Sequence, residues 1–256
     1  MGRGGREISG EEKPEAGEET LRPRASISWR FWLLFEMLAF FVATPIILYE
    51  LLYEARIPLL ALLIPVFVFF IVFLTIDRSF SWRQTLGVGI GLKDLASIIA
   101  IFAIAGPALT AFAYYDVPSR FLGFPRHAYD MWVTIMIFYP IISVTAQEIM
   151  YRIFFFHRYR PLFAGDPQAG IFLNAVLFSF SHIVFQNATT IIISFLGGLL
   201  FAWRYESSRS YWALCLEHAL YGNLIFTLGL GKYFYTGVSN FNIWWIVDHL
   251  KAMLPF

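Results

Sequence analysis

Four ionisable residues, Glu148, Arg152, His182 and His218, stand in or beside otherwise apolar stretches of membrane-spanning length. A titratable side chain in lipid is costly unless it faces a protein interior or a water-filled cavity, so each is a candidate functional group. The stretches read Ala146-Gln147-Glu148-Ile149-Met150-Tyr151-Arg152, Phe178-Ser179-Phe180-Ser181-His182 and Leu216-Glu217-His218-Ala219-Leu220-Tyr221-Gly222-Asn223. A carboxylate with two imidazoles can activate a water molecule and stabilise the oxyanion formed when that water attacks a carbonyl. Glu148 and Arg152 lie four residues apart, about 40° round an ideal helix, so they share a face and can pair. Phe178 and His182 repeat that spacing and set an aromatic wall beneath an imidazole. Taken singly, a Glu–Arg pair at a helix end or a buried histidine is more often structural. The coincidence of three such groups carries the chemical reading.

The elements that must position these groups are membrane helices. The 256 residues are 58% hydrophobic, 19% aromatic and only 14% charged, which is too apolar for an ordinary soluble domain. A spanning helix needs about 20 mostly apolar residues, which divides the chain into segments at roughly 31–52, 57–76, 92–115, 129–151, 169–187, 189–206 and 210–230. The short stretch 241–254, with aromatics beside charge, either spans as an eighth or lies at the interface. The predicted fold is therefore an all-α polytopic transmembrane bundle of about seven to eight spans. Pro45, Pro65 and Pro107 fall inside spans and are expected to kink them. Residues 1–28 are polar and rich in Gly and Glu, and they read as a disordered cytoplasmic tail. Residues 29–128 form spans without a recognised motif, 129–230 hold the motifs, and 231–256 are left as a short span or interfacial helix.

With the N-terminus in the cytoplasm, fifteen of the nineteen Lys and Arg residues fall on the cytoplasmic side, which fixes that orientation. Glu148 and Arg152 then lie toward the cytoplasmic end of the fourth span. A net charge of +1 without a basic face argues against nucleic acid as a partner. The single cysteine, Cys215, excludes an internal disulfide framework and a multi-cysteine metal site.

Gln147-Glu148-x-x-x-Arg152, Phe178-x-x-x-His182 and a third helix bearing His218 resemble the three motifs of the CPBP intramembrane proteases, the group containing the CAAX prenyl endopeptidases and bacteriocin-processing proteins. The resemblance covers about residues 129–230. It implies a glutamate-dependent endopeptidase in which a first-motif carboxylate and the two histidines activate water. It further implies a polar residue, one turn after the second histidine, that helps hold the oxyanion. Two positions depart from the pattern. Where the family commonly has Glu-Glu-x-x-x-Arg, with water activation assigned in the CAAX endopeptidases to the first Glu, this chain has Gln147. An amide cannot take a proton from water, so Glu148 takes the base role or the site is silent. Where the family usually has His-x-x-x-Asn, Gly222 follows His218, and Asn223 comes one residue later, about 140° from His218 on an ideal helix. Only a local bulge would bring Asn223 to the His218 face.

The expected catalytic set is Glu148, His182 and His218 with Arg152 as the carboxylate's partner, supported by Gln147, Asn223 and Phe178. No cofactor is expected. A zinc ion held by Glu148, His182 and His218 is the lesser alternative, since the chain lacks a His-Glu-x-x-His pattern. Expected partners are a membrane-embedded or lipidated peptide substrate and lipids, in a prokaryotic plasma membrane. A catalytically silent scaffold on the same fold, and a transporter with a Glu/His proton relay, remain the competing classes. Glu36 in the first span either pairs inside the bundle or lies on a cavity wall. Arg158, Arg160 and Arg209 read as topology determinants and anionic-lipid contacts. Gly197-Gly198 reads as a helix-packing site, while Asn174, Asn187 and Thr189 either line a polar cavity near His182 or satisfy backbone.

Overall fold

The computed structural model describes residues 27–236, and among them every regular element is helical. Five helices are long and apolar enough to cross a membrane: α1 (Ile27–Tyr53), α4 (Leu92–Asp116), α6 (Tyr129–Phe163), α7 (Pro167–Phe185) and α8 (Ala188–Ser208). Between them lie α2 (Leu59–Ile76) and the short α3 (Trp82–Gly87) and α5 (Gly123–His127), and α9 (Tyr211–Leu228) closes the set. Each of the seven predicted segments is thus a helix, and the chain is an all-α polytopic bundle. Of the predicted tail, residues 1–26 lie outside the described residues, and Ile27 and Ser28 belong to α1. The stretch 241–254 lies outside the described residues.

The fourth segment departs most from expectation. Instead of ending near 151, α6 runs 35 residues to Phe163. At about 1.5 Å per residue that is roughly 52 Å, well beyond a bilayer core of about 30 Å. The helix continues because its polar residues find partners. Arg158 donates twice to Glu36 (2.8 and 2.7 Å), Tyr159 donates to the same carboxylate (3.2 Å), and His157 lies 3.0 Å from Asp77. Glu36 is therefore paired inside the bundle rather than set on a cavity wall. The three arginines read as lipid contacts are likewise committed to partners, Arg158 to Glu36, and Arg160 and Arg209 to Glu206 (2.8 Å each). Asp77, just past the end of α2, is pushed up by burial. Hydrogen bonds from the Ser79 hydroxyl and N–H, with the His157 contact, outweigh that and bring its carboxyl to about 2.

Two helices contain π-turns, at Ala39–Ala43 in α1 and at Tyr139–Val144 and Ile149–Phe154 in α6. Thr44 donates to the Ala39 carbonyl (3.1 Å) and Thr145 to the Pro140 carbonyl (3.3 Å), each five residues back, so hydroxyls patch the widened ladder. α1 passes Pro45, α2 passes Pro65 and α4 passes Pro107 without a break.

Side-chain caps make the breaks before α7, α8 and α9 short. Asp166 accepts from the N–H groups of Gln168 and Ala169, Asn187 from that of Thr190, and Ser210 from that of Ala213. Gly198 lets α8 lie against α7, since a Cβ there would sit 3.0 Å from the Ala175 Cα. Gly197 has a different environment, facing its own helix's Phe201. The main core is aromatic, with Phe41, Phe70, Phe154, Phe155 and Tyr159 interlocked between α1, α2 and α6. Phe31, Phe35, Ile76, Ile104 and Leu196 stay exposed, as a lipid-facing surface requires. A buried ion pair joins α8 to α9, where Arg204 donates to both Glu217 oxygens (2.7 and 3.1 Å) and to Ser97 of α4 (3.1 Å).

Candidate active site

The three motif helices meet at Phe178. Its ring centroid lies 4.8 Å from the His182 ring and 6.0 Å from the His218 ring, and the Arg152 guanidinium carbon sits 4.2 Å above it. The aromatic expected beneath one imidazole thus holds two imidazoles and a cation around itself.

Glu148 and Arg152 are both fully buried. Arg152 donates to Glu148 Oε1 (3.3 Å) and to the Gly198 carbonyl (3.4 Å), so the expected i,i+4 pair forms and is anchored to α8. Glu148 Oε1 also lies 2.5 Å from His218 Nδ1. A carboxylate only accepts, so Nδ1 carries the proton, and the His218 ring is held in one tautomer. That imidazole stacks on Phe201 with centroids 4.4 Å apart. His182 is oriented differently. Its Nδ1 lies 2.7 Å from the Phe178 carbonyl, again a pure acceptor, which leaves Nε2 as the ring's lone-pair nitrogen.

A cavity of about 330 Å³ opens beside these groups, between α1, α2, α6 and α7. Phe40, Phe41, Phe67 and Phe70 form its apolar walls, and Gln147, Ser181 and His182 contribute polar surface. Gln147 donates its amide to Ser143 Oγ one turn back (2.8 Å), which leaves its carbonyl oxygen as an acceptor. Glu148 is not part of the lining. Adjacent residues on a helix point about 100° apart, so Gln147 faces the cavity while Glu148 faces the interior of the bundle.

Among the described residues no three His, Cys, Asp or Glu side chains converge as a metal-binding cluster. Glu148 is turned to His218 and Arg152, and His182 to the cavity.

Asn223 is turned away from the site, as its angle on α9 requires, and donates to the Met136 carbonyl (3.2 Å). Asn174 donates to the Tyr151 carbonyl and Asn187 to the Phe185 and Tyr233 carbonyls, so both serve backbone rather than the cavity. Tyr139 is the residue the sequence did not single out: its hydroxyl lies 3.2 Å from His218 Nε2. It stands at the start of a π-turn, which an apolar pattern does not reveal, so the sequence carried no signal for it.

Residues 129–224 match the family model described as type II CAAX prenyl endopeptidase Rce1-like. The likeness to the CPBP and CAAX proteases read from the three motifs therefore holds over this segment, which contains Gln147, Glu148, Arg152, Phe178, His182 and His218. No curated protein and no solved structure matches the chain.

Proposed function

We propose, taking as premise the CAAX-protease likeness of residues 129–224, that this protein is an intramembrane endopeptidase that cleaves a peptide bond in or beside the bilayer. The observation that carries the reading is His182. Its proton is committed to the Phe178 carbonyl and its lone pair is left for an apolar cavity that also contains the Gln147 amide. The substrate class that suits such walls is a membrane-embedded or lipidated peptide, approached with the N-terminus of the enzyme on the cytoplasmic side.

In this mechanism Gln147 accepts a hydrogen bond from the attacking water and His182 Nε2 takes its other proton. The water oxygen bonds to the scissile carbonyl carbon, and the carbonyl π pair moves onto oxygen. The tetrahedral species then expels the amine, which recovers the proton from His182, and a carboxylic acid product remains. Glu148 acts through His218, holding the imidazole and supplying negative charge beside it. No covalent enzyme intermediate forms.

A second reading, a catalytically silent scaffold that binds membrane proteins, is favoured by one observation: an amide, not a carboxylate, stands at Gln147 on the cavity wall. The substitution Gln147→Glu separates the two. Adding a carboxylate where water would sit raises cleavage by about tenfold or more if the natural protein already hydrolyses, since a positioned base contributes roughly 10²–10⁴ in rate. Peptide neo-termini counted in membranes from cells expressing each form provide the measure. Products that appear only with Gln147→Glu would establish that the natural chain is the scaffold.

A further inference from the structure

The hydroxyl of Tyr139 occupies a place that no sequence motif assigns. Glu148 takes the proton-bearing side of His218, at Nδ1, so the opposite nitrogen of the neutral ring can only accept, and Tyr139 lies 3.2 Å from it. The tyrosine therefore donates to His218 Nε2. The result is a continuous chain from Arg152 through Glu148 and His218 to Tyr139, assembled from α6 and α9.

Gly222 makes room for it. This glycine lies one turn beyond His218 on α9, and a Cβ built there would collide with the Tyr139 ring and hydroxyl. Any larger side chain at 222 pushes the tyrosine off the imidazole. Phe226, one turn beyond Gly222 on the same face of α9, packs edge-on against the ring with centroids 5.2 Å apart, so the ring has a defined seat. The π-turn that begins at Tyr139 supplies the aim, because the extra residue per turn re-directs the side chains of α6 at this point. Asn223 provides no substitute, since it faces away from His218 and donates to the Met136 carbonyl.

We propose that Tyr139 is the positioning residue of His218, and that Gly222 is the opening in α9 that admits it. Glu148 sets the tautomer and Phe201 stacks on one face of the ring, and the phenol, bonded to the opposite nitrogen, fixes the imidazole's remaining rotation in its plane. The effect on rate rests on the hydrolytic reading above; the bond to His218 does not.

The test uses full-length protein in lipid nanodiscs, labelled with ¹⁵N-histidine, with the His218 signals assigned by their loss in His218→Gln. Tyr139→Phe keeps the ring and its packing and removes only the donor. The expected result is a shifted Nε2 resonance of His218, an unchanged unfolding temperature, and cleavage reduced about tenfold, the rate that one hydrogen bond of ordinary strength controls. Gly222→Ala, whose methyl group displaces the ring, shifts the same resonance. An Nε2 signal identical in the natural protein and Tyr139→Phe overturns the proposal. A shifted signal in a protein that cleaves nothing, even in its natural form, keeps the bond to His218 and removes the hydrolytic reading instead.

Discussion

Replacing His182 with alanine lowers peptide cleavage by about 10²–10⁴-fold, the range one general base contributes, while leaving the protein folded. The fold survives because little depends on this ring. His182 is only partly buried, carries no paired charge, and its Nδ1 lies 2.7 Å from the Phe178 carbonyl and 3.3 Å from the Ser181 hydroxyl, both within its own turn of helix. That carbonyl keeps a second donor, the Ser181 hydroxyl at 2.7 Å. Activity collapses because the only imidazole on the cavity wall among the described residues is lost. Unfolding temperature and cleavage, measured on the same preparation, separate the two effects. A fall in both together would mean that His182 is a packing residue after all.

The opposite pattern is expected at Arg152, where stability collapses first. Arg152→Met removes the cation from a fully buried pair and leaves the Glu148 carboxylate facing His218 alone. Breaking a buried pair from one side costs about 3–5 kcal/mol, because the remaining charge stays desolvated. The Gly198 carbonyl also loses its donor, and the Phe178 ring loses the cation 4.2 Å above it. Lysine at this position does not rescue, because one ammonium cannot donate to Glu148 and Gly198 in the same plane while stacking on Phe178. Removing both charges, with Arg152→Met and Glu148→Gln together, is milder than Arg152→Met alone, a coupling that a double-mutant cycle in detergent measures directly. If Arg152→Met unfolds at the natural temperature, the pair contributes nothing to the bundle.

The different legibility of these groups in the sequence has a physical basis. Apolar length located the seven longer of the nine described helices, since lipid demands it of a span, and missed the short Trp82–Gly87 and Gly123–His127. Helical spacing placed Arg152 over Glu148 and Phe178 beneath His182, and turned Asn223 away from His218, because those relations lie within one helix. What spacing could not supply is rotation about the helix axis. Gln147 and Glu148 are neighbours, and only the packing of α1, α2 and α7 round α6 decides that the amide faces the cavity and the carboxylate the bundle. The end of α6 was misjudged for a related reason. Apolar length ends the span near 151, yet Asp77 and Glu36 from distant segments pair with His157 and Arg158 beyond it and the helix continues. Tyr139 reaches His218 across 79 residues, and no local pattern records that.

The two variant series meet in one comparison. Wild type, Glu148→Gln and His182→Ala are expressed at equal levels in native membranes, and membrane peptides are searched by mass spectrometry for neo-termini that depend on the intact protein. Products are expected with wild type that vanish in both variants, one losing the group that holds His218 and the other the imidazole that activates water. Indistinguishable peptide profiles in all three, at matched expression and under conditions that stimulate the native pathway, would overturn the hydrolytic reading and leave a silent scaffold built on the same helices.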